Sequence, residues 1–342
     1  MEKEFDFVAI GDIVVDAFIN LKVARVREEQ GHPELCFSFA DKIPYESLEV
    51  VPAVGNSANA SVSASRLGLR TALATNIGDD NYGRDCQRVL EQEKVAPDFI
   101  KIHSGKKTNY HFVLLYQADR TILVKHTQFD YHLPNIGKPN WMYLSSLAEN
   151  SLPYHIEIAR YLKNNPEINL AFQPGTFQME LGYEKLKEIY QMSKVFFCNV
   201  QEAKKILSGV KPEVLSATIG KDKQVVIKEL LFKLKELGPA IVVITDGPDG
   251  AYAYDGNKIL WTPMYPDPSA PMDRTGAGDA FASAFTSALA LGKNLEQALL
   301  WGPINSMSVV QYVGAQKGLL TREKLEEYLK NAPADYKIKL IE

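Results

Sequence analysis

The stretch Asp273-Arg274-Thr275-Gly276-Ala277-Gly278-Asp279 runs without a break into Ala280-Phe281-Ala282-Ser283-Ala284-Phe285. Two glycines flanking one small residue open backbone conformations that are closed to larger side chains. They also let an anion approach the main chain closely. The alanine-rich residues that follow predict a buried helix over Gly278–Leu291, whose start points free N–H groups and its positive dipole end at that anion. Asp279 falls in its first turn. A carboxylate beside an oxyanion cradle is what phosphoryl transfer needs: the carboxylate accepts a hydroxyl proton while backbone donors stabilise charge on the moving group. Taken alone, the string also fits an ordinary glycine-rich helix start with Asp279 as an N-terminal charge.

Outward from this point, short apolar runs alternate with amphipathic segments. Phe5–Ile10, Thr71–Thr75, Trp141–Leu144, Asn169–Phe172, Val195–Cys198 and Ile241–Thr245 read as buried parallel strands. Between and after them, helical periodicity covers 56–67, 82–93, 154–162, 183–192, 201–207, 225–237, 294–311 and 322–330. Strands alternating with helices indicate crossover units and an α/β, doubly wound, mostly parallel sheet, in which ligands bind beyond the carboxyl ends of the strands.

Composition sets outer limits. The 342 residues are 46% hydrophobic and 23% charged, with a net charge of -4. That is globular and gives no reason to expect nucleic acid, which asks for a concentrated positive patch. Cys36, Cys86 and Cys198 are far apart and odd in number, which reads as reduced packing thiols and a cytoplasmic setting. The N-terminus lacks a signal-peptide apolar core, and no run of about 18 apolar residues could span a membrane.

Two segments break the α/β rhythm. Residues 18–51 carry strand-like pieces at 18–23, 35–39 and 48–51 where a crossover helix would normally follow the first strand. Residues 110–115 and 121–124, joined by Gln117-Ala118-Asp119-Arg120, read as a hairpin. Together they suggest a small antiparallel sheet, either a lid over a ligand site or an edge decoration. The division is then a body of 1–17, 52–108 and 126–342, with a lid of 18–51 and 109–125. The polar stretch Ala24–Pro33 reads as a solvated loop or a substrate-touching one.

At residues 273–281 the chain resembles the C-terminal signature of ribokinase-like (PfkB-type) carbohydrate kinases. Arg274 stands where the family more often has Thr or Pro. Gly55-Asn56-Ser57-Ala58-Asn59, with Gly68 and Gly78, resembles the family's first signature, and Val54 and Ser57 replace its usual small residues. Gly78-Asp79-Asp80-Asn81-Tyr82-Gly83, Asn199-Val200-Gln201-Glu202 and Thr245-Asp246-Gly247-Pro248-Asp249-Gly250 resemble three further family elements. The motifs are ordered and cover nearly the whole chain.

The resemblance implies roles. Asp279 is the general base, and the amides of Gly276, Ala277 and Gly278 form the anion hole. Asp16, Gly55 and Asn59 bind the acceptor. Thr245, Gly247, Gly250, Asn199 and Asn305 lie on the ATP side. Glu202 and Asn199 hold Mg2+, partly through water. Asp273 and Thr275, opposite the loop Val313–Gln316, match positions that bind a K+-type cation in many relatives. Lids of such proteins exclude water from the reacting phosphoryl group and pair between subunits, which implies a homodimer. The bland readings of single residues are a capping Asn199 with a surface Glu202, a strand-end Asp16 and a capping Asn59.

Three function classes follow. One is an ATP-dependent kinase for a small sugar. The second is a nucleoside kinase, which needs an aromatic clamp that Phe37, Phe39, Tyr45, Phe112 or Tyr116 would supply. The third is a catalytically silent binding protein, which has no chemical need for an intact Asp279 and glycine cradle. A sugar-phosphate acceptor would require cations drawn from Lys22, Arg25, Arg27, Arg120 and Lys125.

Overall fold

The computed structural model describes residues 5–29, 32–117, 119–211, 220 and 222–341. Its main sheet has the order Lys339–Leu340, Ile259–Thr262, Ala251–Tyr254, Ile241–Thr245, Ser193–Asn199, Asn169–Phe172, Trp141–Leu144, Phe7–Ile10, Thr71–Gly78 and Val95–Ala96, with Ile100–His103 also paired to Thr71–Gly78. The strands from Ile241–Thr245 to Val95–Ala96 are parallel, and the other end of the sheet is antiparallel.

Burial on both faces explains the continuous apolar runs. Phe7 and Ala9 enter one core, with the helices Asn56–Arg66, Ala277–Ala290 and Leu295–Val309. Val8 and Ile10 enter the other, against Leu152–Asn164, Tyr183–Met192, Val200–Ser208 and Lys223–Lys235. From Phe7–Ile10 the chain winds first to Thr71–Gly78 and later to Trp141–Leu144 on the opposite side. This reversal opens a crevice at the carboxyl ends of the central strands, where an open α/β sheet takes its ligands.

A separate four-stranded sheet has the order Asp119–Leu123, Asn109–Tyr116, Val14–Leu21 and Tyr45–Val54. It begins at Val14, earlier than expected, and returns as far as Val54. Asp16 therefore lies inside this sheet, paired with His111, rather than at the end of the first strand. Only the outer pairs are antiparallel, because Val14–Leu21 and Asn109–Tyr116 run parallel. Arg25–Glu29 and His32–Cys36 form a two-stranded hairpin where a polar loop was expected. Gln30, in that stretch, lies outside the described residues, as does Ala118 of the expected turn. Phe37 to Phe39, expected in a strand, follow it instead.

The motif Gly78–Gly83 locks this region. Asp80 caps the helix Asn81–Gln92 through the Gly83 N–H at 3.0 Å and accepts the Thr108 hydroxyl at 2.7 Å. All three cysteines are free. Burial pushes the Cys86 thiol up to about 12 and Cys198 well above its ordinary value, so both are inert packing groups. Among the described residues no helix is long and apolar enough to cross a membrane.

Candidate active site

Gly276 precedes the helix Ala277–Ala290 in a left-handed conformation, φ 79°. A Cβ there would meet Cβ of Ala315 at 2.4 Å. The residue is therefore glycine for two reasons, backbone sign and the close approach of the 313–316 loop. Gly278 differs: a Cβ would meet nothing nearer than Gln173 Nε2 at 3.7 Å, so it faces open space. The first-turn N–H groups of this helix have no intrahelical acceptors.

Asp279 is buried, and three amides converge on it. Asn56 Nδ2 donates to Oδ1 at 2.9 Å, Gln173 Nε2 to Oδ1 at 3.1 Å and Asn59 Nδ2 to Oδ2 at 2.8 Å. Burial raises its pKa, while the bonds from Asn59, Gln173 and Asn56 and the charge of Arg120 oppose the rise. The amides are themselves held in orientation. Tyr143, fully buried, donates its hydroxyl to Gln173 Oε1. Gln316 Nε2 donates to Asn59 Oδ1 at 3.0 Å and to the Ala53 carbonyl at 2.6 Å. Asn56, Gln173, Tyr143 and Gln316 received no role from sequence reasoning.

The helix Asn56–Arg66 begins at Gly55, φ 108°, where a Cβ would lie 2.8 Å from the Asp12 carbonyl oxygen. Gly55 thus lets the segment after the first strand pack on the start of this helix, and it connects the Asp279 amides to an acidic corner. In that corner Asp12 accepts the Tyr131 hydroxyl on both carboxylate oxygens at 2.9 Å and the Ala148 N–H at 2.8 Å. Asp16 Oδ1 lies 3.5 Å from His111 Nδ1, and Asp12 Oδ2 lies 3.5 Å from His126 Nδ1.

On the other side of the cradle, Asn199 and Thr245 are register neighbours at the carboxyl ends of their strands. Asn199 and Glu202 form a reciprocal capping box: the Glu202 N–H donates to Asn199 Oδ1 at 2.9 Å, the Asn199 N–H to Glu202 Oε2 at 2.8 Å. The capping reading is therefore real, but Glu202 is not a surface glutamate. Burial raises its pKa and so does the negative charge of Asp279, partly offset by the Asn199 N–H. Glu202 is half-buried, and it and Asn199 offer the oxygen donors that a hard dication takes.

Three expected nucleotide residues divide. Gly247 has φ 53° and open space around its Cα. At Gly250, φ 92°, a Cβ would lie 2.1 Å from the Thr262 carbonyl oxygen, so the close packing of the antiparallel sheet edge requires glycine there. Asn305 is fully buried and donates to Ser63 Oγ at 3.2 Å and the Ala280 carbonyl at 3.0 Å, while accepting from the Leu320 N–H at 3.0 Å. It cross-links two helices and a loop from within the core. Asp273 accepts the Thr275 N–H and hydroxyl on Oδ1 and the Gly314 N–H on Oδ2, at 2.9, 2.7 and 3.0 Å. It ties the two loops expected to flank a monovalent cation.

Two of the aromatic residues expected as a base clamp, Phe39 and Phe112, do not face this site. Phe39 is wholly exposed, and Phe112 follows His111 in an extended strand, so the two side chains point to opposite faces. Among the expected cations, Arg120 pairs with Leu115 on the sheet face that carries His111, and its charge acts on Asp279.

A doubly wound sheet with a glycine cradle, a buried carboxylate and a small second sheet beside the crevice defines a class of phosphotransferases with hydroxyl acceptors. The chain belongs to the pfkB family of carbohydrate kinases, whose family model matches residues 35–322. It is 28% identical over 295 residues to a ribokinase of Bacillus subtilis, covering 83% of this chain and 89% of that protein. It is 24% identical to a 5-dehydro-2-deoxygluconokinase of Bacillus licheniformis, covering 96% and 97%. Among solved structures it resembles the ribokinase of Arabidopsis thaliana complexed with ribose and ATP, with TM-score 0.77, 18% identity and coverage of 95% and 99%. It also resembles a nucleoside kinase of Methanocaldococcus jannaschii, with TM-score 0.70, 19% identity and coverage of 96% and 99%.

Proposed function

We propose that the chain is an ATP-dependent sugar kinase that transfers the γ-phosphoryl group to a hydroxyl of a small carbohydrate in the cytoplasm. The observation that carries this reading is the convergence of Asn56, Asn59 and Gln173 on buried Asp279 at the glycine-rich helix start. Asp279 accepts the proton of the acceptor hydroxyl. The N–H groups at Gly276, Ala277 and Gly278 stabilise charge on the transferring group. Thr245 and Gly247 contact the nucleotide, and Asn199 and Glu202 orient a magnesium ion. When bound, ATP supplies the phosphoryl group and magnesium neutralises charge on it. Asp273 and Thr275 hold the loop where a potassium-type ion would sit. What supports a sugar over a nucleoside is that Phe39 is wholly exposed and Phe112 lies on the sheet face opposite His111. A thermal-shift screen of sugars, sugar phosphates and nucleosides, with a nonhydrolysable ATP analogue, tests this. A response to nucleosides alone would replace the sugar reading.

Gln173→Leu removes a donor that favours ionised Asp279. Asp279 must be charged to act, and it already titrates above its ordinary value, so activity falls as pH drops through that raised pKa. Losing the Gln173 bond raises it further. The acid limb of the kcat profile therefore moves to higher pH; a limb that stays or moves down would contradict the assignment.

Glu202→Gln raises the magnesium concentration needed for half-maximal rate. An unmoved titration curve would leave Glu202 with its capping role alone.

The small sheet, which extends the expected lid of 18–51 and 109–125 to Val14 and Val54, is proposed as a lid, and its outer face as a dimer contact. Leu48, Val50, Phe112 and Leu123 share that face by strand alternation and are all 42% or more exposed. A second copy would bury them, as contiguous exposed apolar surface favours. Light scattering is expected to give twice the 38.2 kDa chain mass, and Leu48→Asp to give monomers. A wild-type mass near that of one chain, or persistent dimers in the variant, would refute the contact.

A further inference from the structure

Three polar atoms near the acceptor side are buried without hydrogen-bond partners: Asp16 Oδ1, His111 Nε2 and His126 Nδ1. Asp16 is only 9% exposed. Such orphans are costly unless a ligand completes them. The rings of His111 and His126 meet edge to face with centroids 5.2 Å apart, and His126 packs in the same way on Phe177 at 5.4 Å. His126 and Phe177 border a cleft of about 560 Å³ that also reaches Ala148 and Glu149, so His126 is approached from solvent and Asp16 and His111 lie behind it.

We infer that His111 and His126 form a specificity pair selecting an uncharged, hydroxyl-bearing end of the acceptor and rejecting phosphate or carboxylate there. The inference rests on the sugar-kinase reading above and adds the acceptor class. A carboxylate oxygen accepts only, so Asp16 Oδ1 needs a donor. A hydroxyl donates to it and still offers lone pairs to an imidazole N–H. At Asp16 a phosphate or carboxylate would set acceptor against acceptor and negative charge against negative charge, as it would against Glu149 at the cleft, while Arg120, on the same sheet face as His111, acts with its charge on Asp279. Asp12 is a positioning residue: three donor contacts from Tyr131 and Ala148 hold its carboxylate beside His126 Nδ1.

The test is steady-state kinetics at saturating magnesium-ATP, with neutral pentoses and hexoses, their phosphate esters and aldonic acids as acceptors. The wild-type protein is expected to prefer the neutral sugars. His111→Phe and His126→Phe keep ring bulk without ring nitrogens. Each is expected to raise the acceptor KM about tenfold, the scale of one hydrogen bond, with the ATP KM unchanged. His111→Asn, which restores a polar atom, is expected to recover part of that loss. Preference for phosphate esters or aldonates, or wild-type acceptor KM in both Phe variants, overturns the inference while leaving the kinase reading standing. Phosphorylation of no sugar in any group overturns both.

Discussion

Asp279→Asn is expected to lower turnover by about two to four orders of magnitude, the usual scale of general base catalysis or somewhat above it. The substitution keeps size and removes the proton acceptor. The nucleotide KM is expected to change little, because the residues assigned to that side, Asn199, Thr245 and Gly247, make no hydrogen bond to Asp279 among those found. The carboxamide offers one oxygen to three amide donors, so the variant also loosens Asn56, Asn59 or Gln173. A thermal melt separates the effects: the fold should survive while turnover collapses. Turnover within a few-fold of wild type would remove Asp279 from the chemistry.

Gly276→Val and Gly278→Val are expected to fail in opposite ways. At Gly276 a β-branched residue must adopt the left-handed region, which costs about 1–2 kcal/mol. It must also displace Ala315, and overpacking of that kind costs about 1–3 kcal/mol. The melting temperature should fall by several degrees, with the Asp273–Gly314 connection loosened. At Gly278 nothing lies within 3.7 Å of the added Cβ and φ is not positive. The fold should hold, but the side chain occupies the space where an anion would meet the backbone, and turnover is lost. Equal melting temperatures for the two variants would show that Gly276 is not under steric constraint.

How far the sequence reveals this arrangement depends on the kind of interaction. Trp141–Leu144, Asn169–Phe172 and Ile241–Thr245 match the observed strands residue for residue, because strands buried on both faces must be continuously apolar. Ala251–Tyr254 and Ile259–Thr262 escaped notice: four-residue antiparallel strands give too short a pattern. Val14 and Val15 hide as an extension of the first strand, since only Gly11, Asp12 and Ile13 separate the two sheets. In the site, the glycine cradle and its carboxylate are legible because backbone sign and anion chemistry restrict residue type locally. Gln173 and Gln316 are not. Neutral amides carry no pattern, and Gln316 meets Asn59 across 257 residues of chain. His111 and His126 read as ordinary strand and loop residues until tertiary pairing sets them against Asp16 and Asp12. Asn305 likewise cross-links Ser63, Ala280 and Leu320 in the core, a role visible only from its partners.

The most direct test of the central claim is ADP release measured together with sugar phosphate formation, using magnesium-ATP and the neutral sugar that best protects the protein against heat. The account requires ADP and sugar phosphate to appear in equal amounts, both dependent on the sugar and both lost in Asp279→Asn. ADP release that ignores the sugar, or sugar phosphate formed at the wild-type rate by the variant, would contradict it.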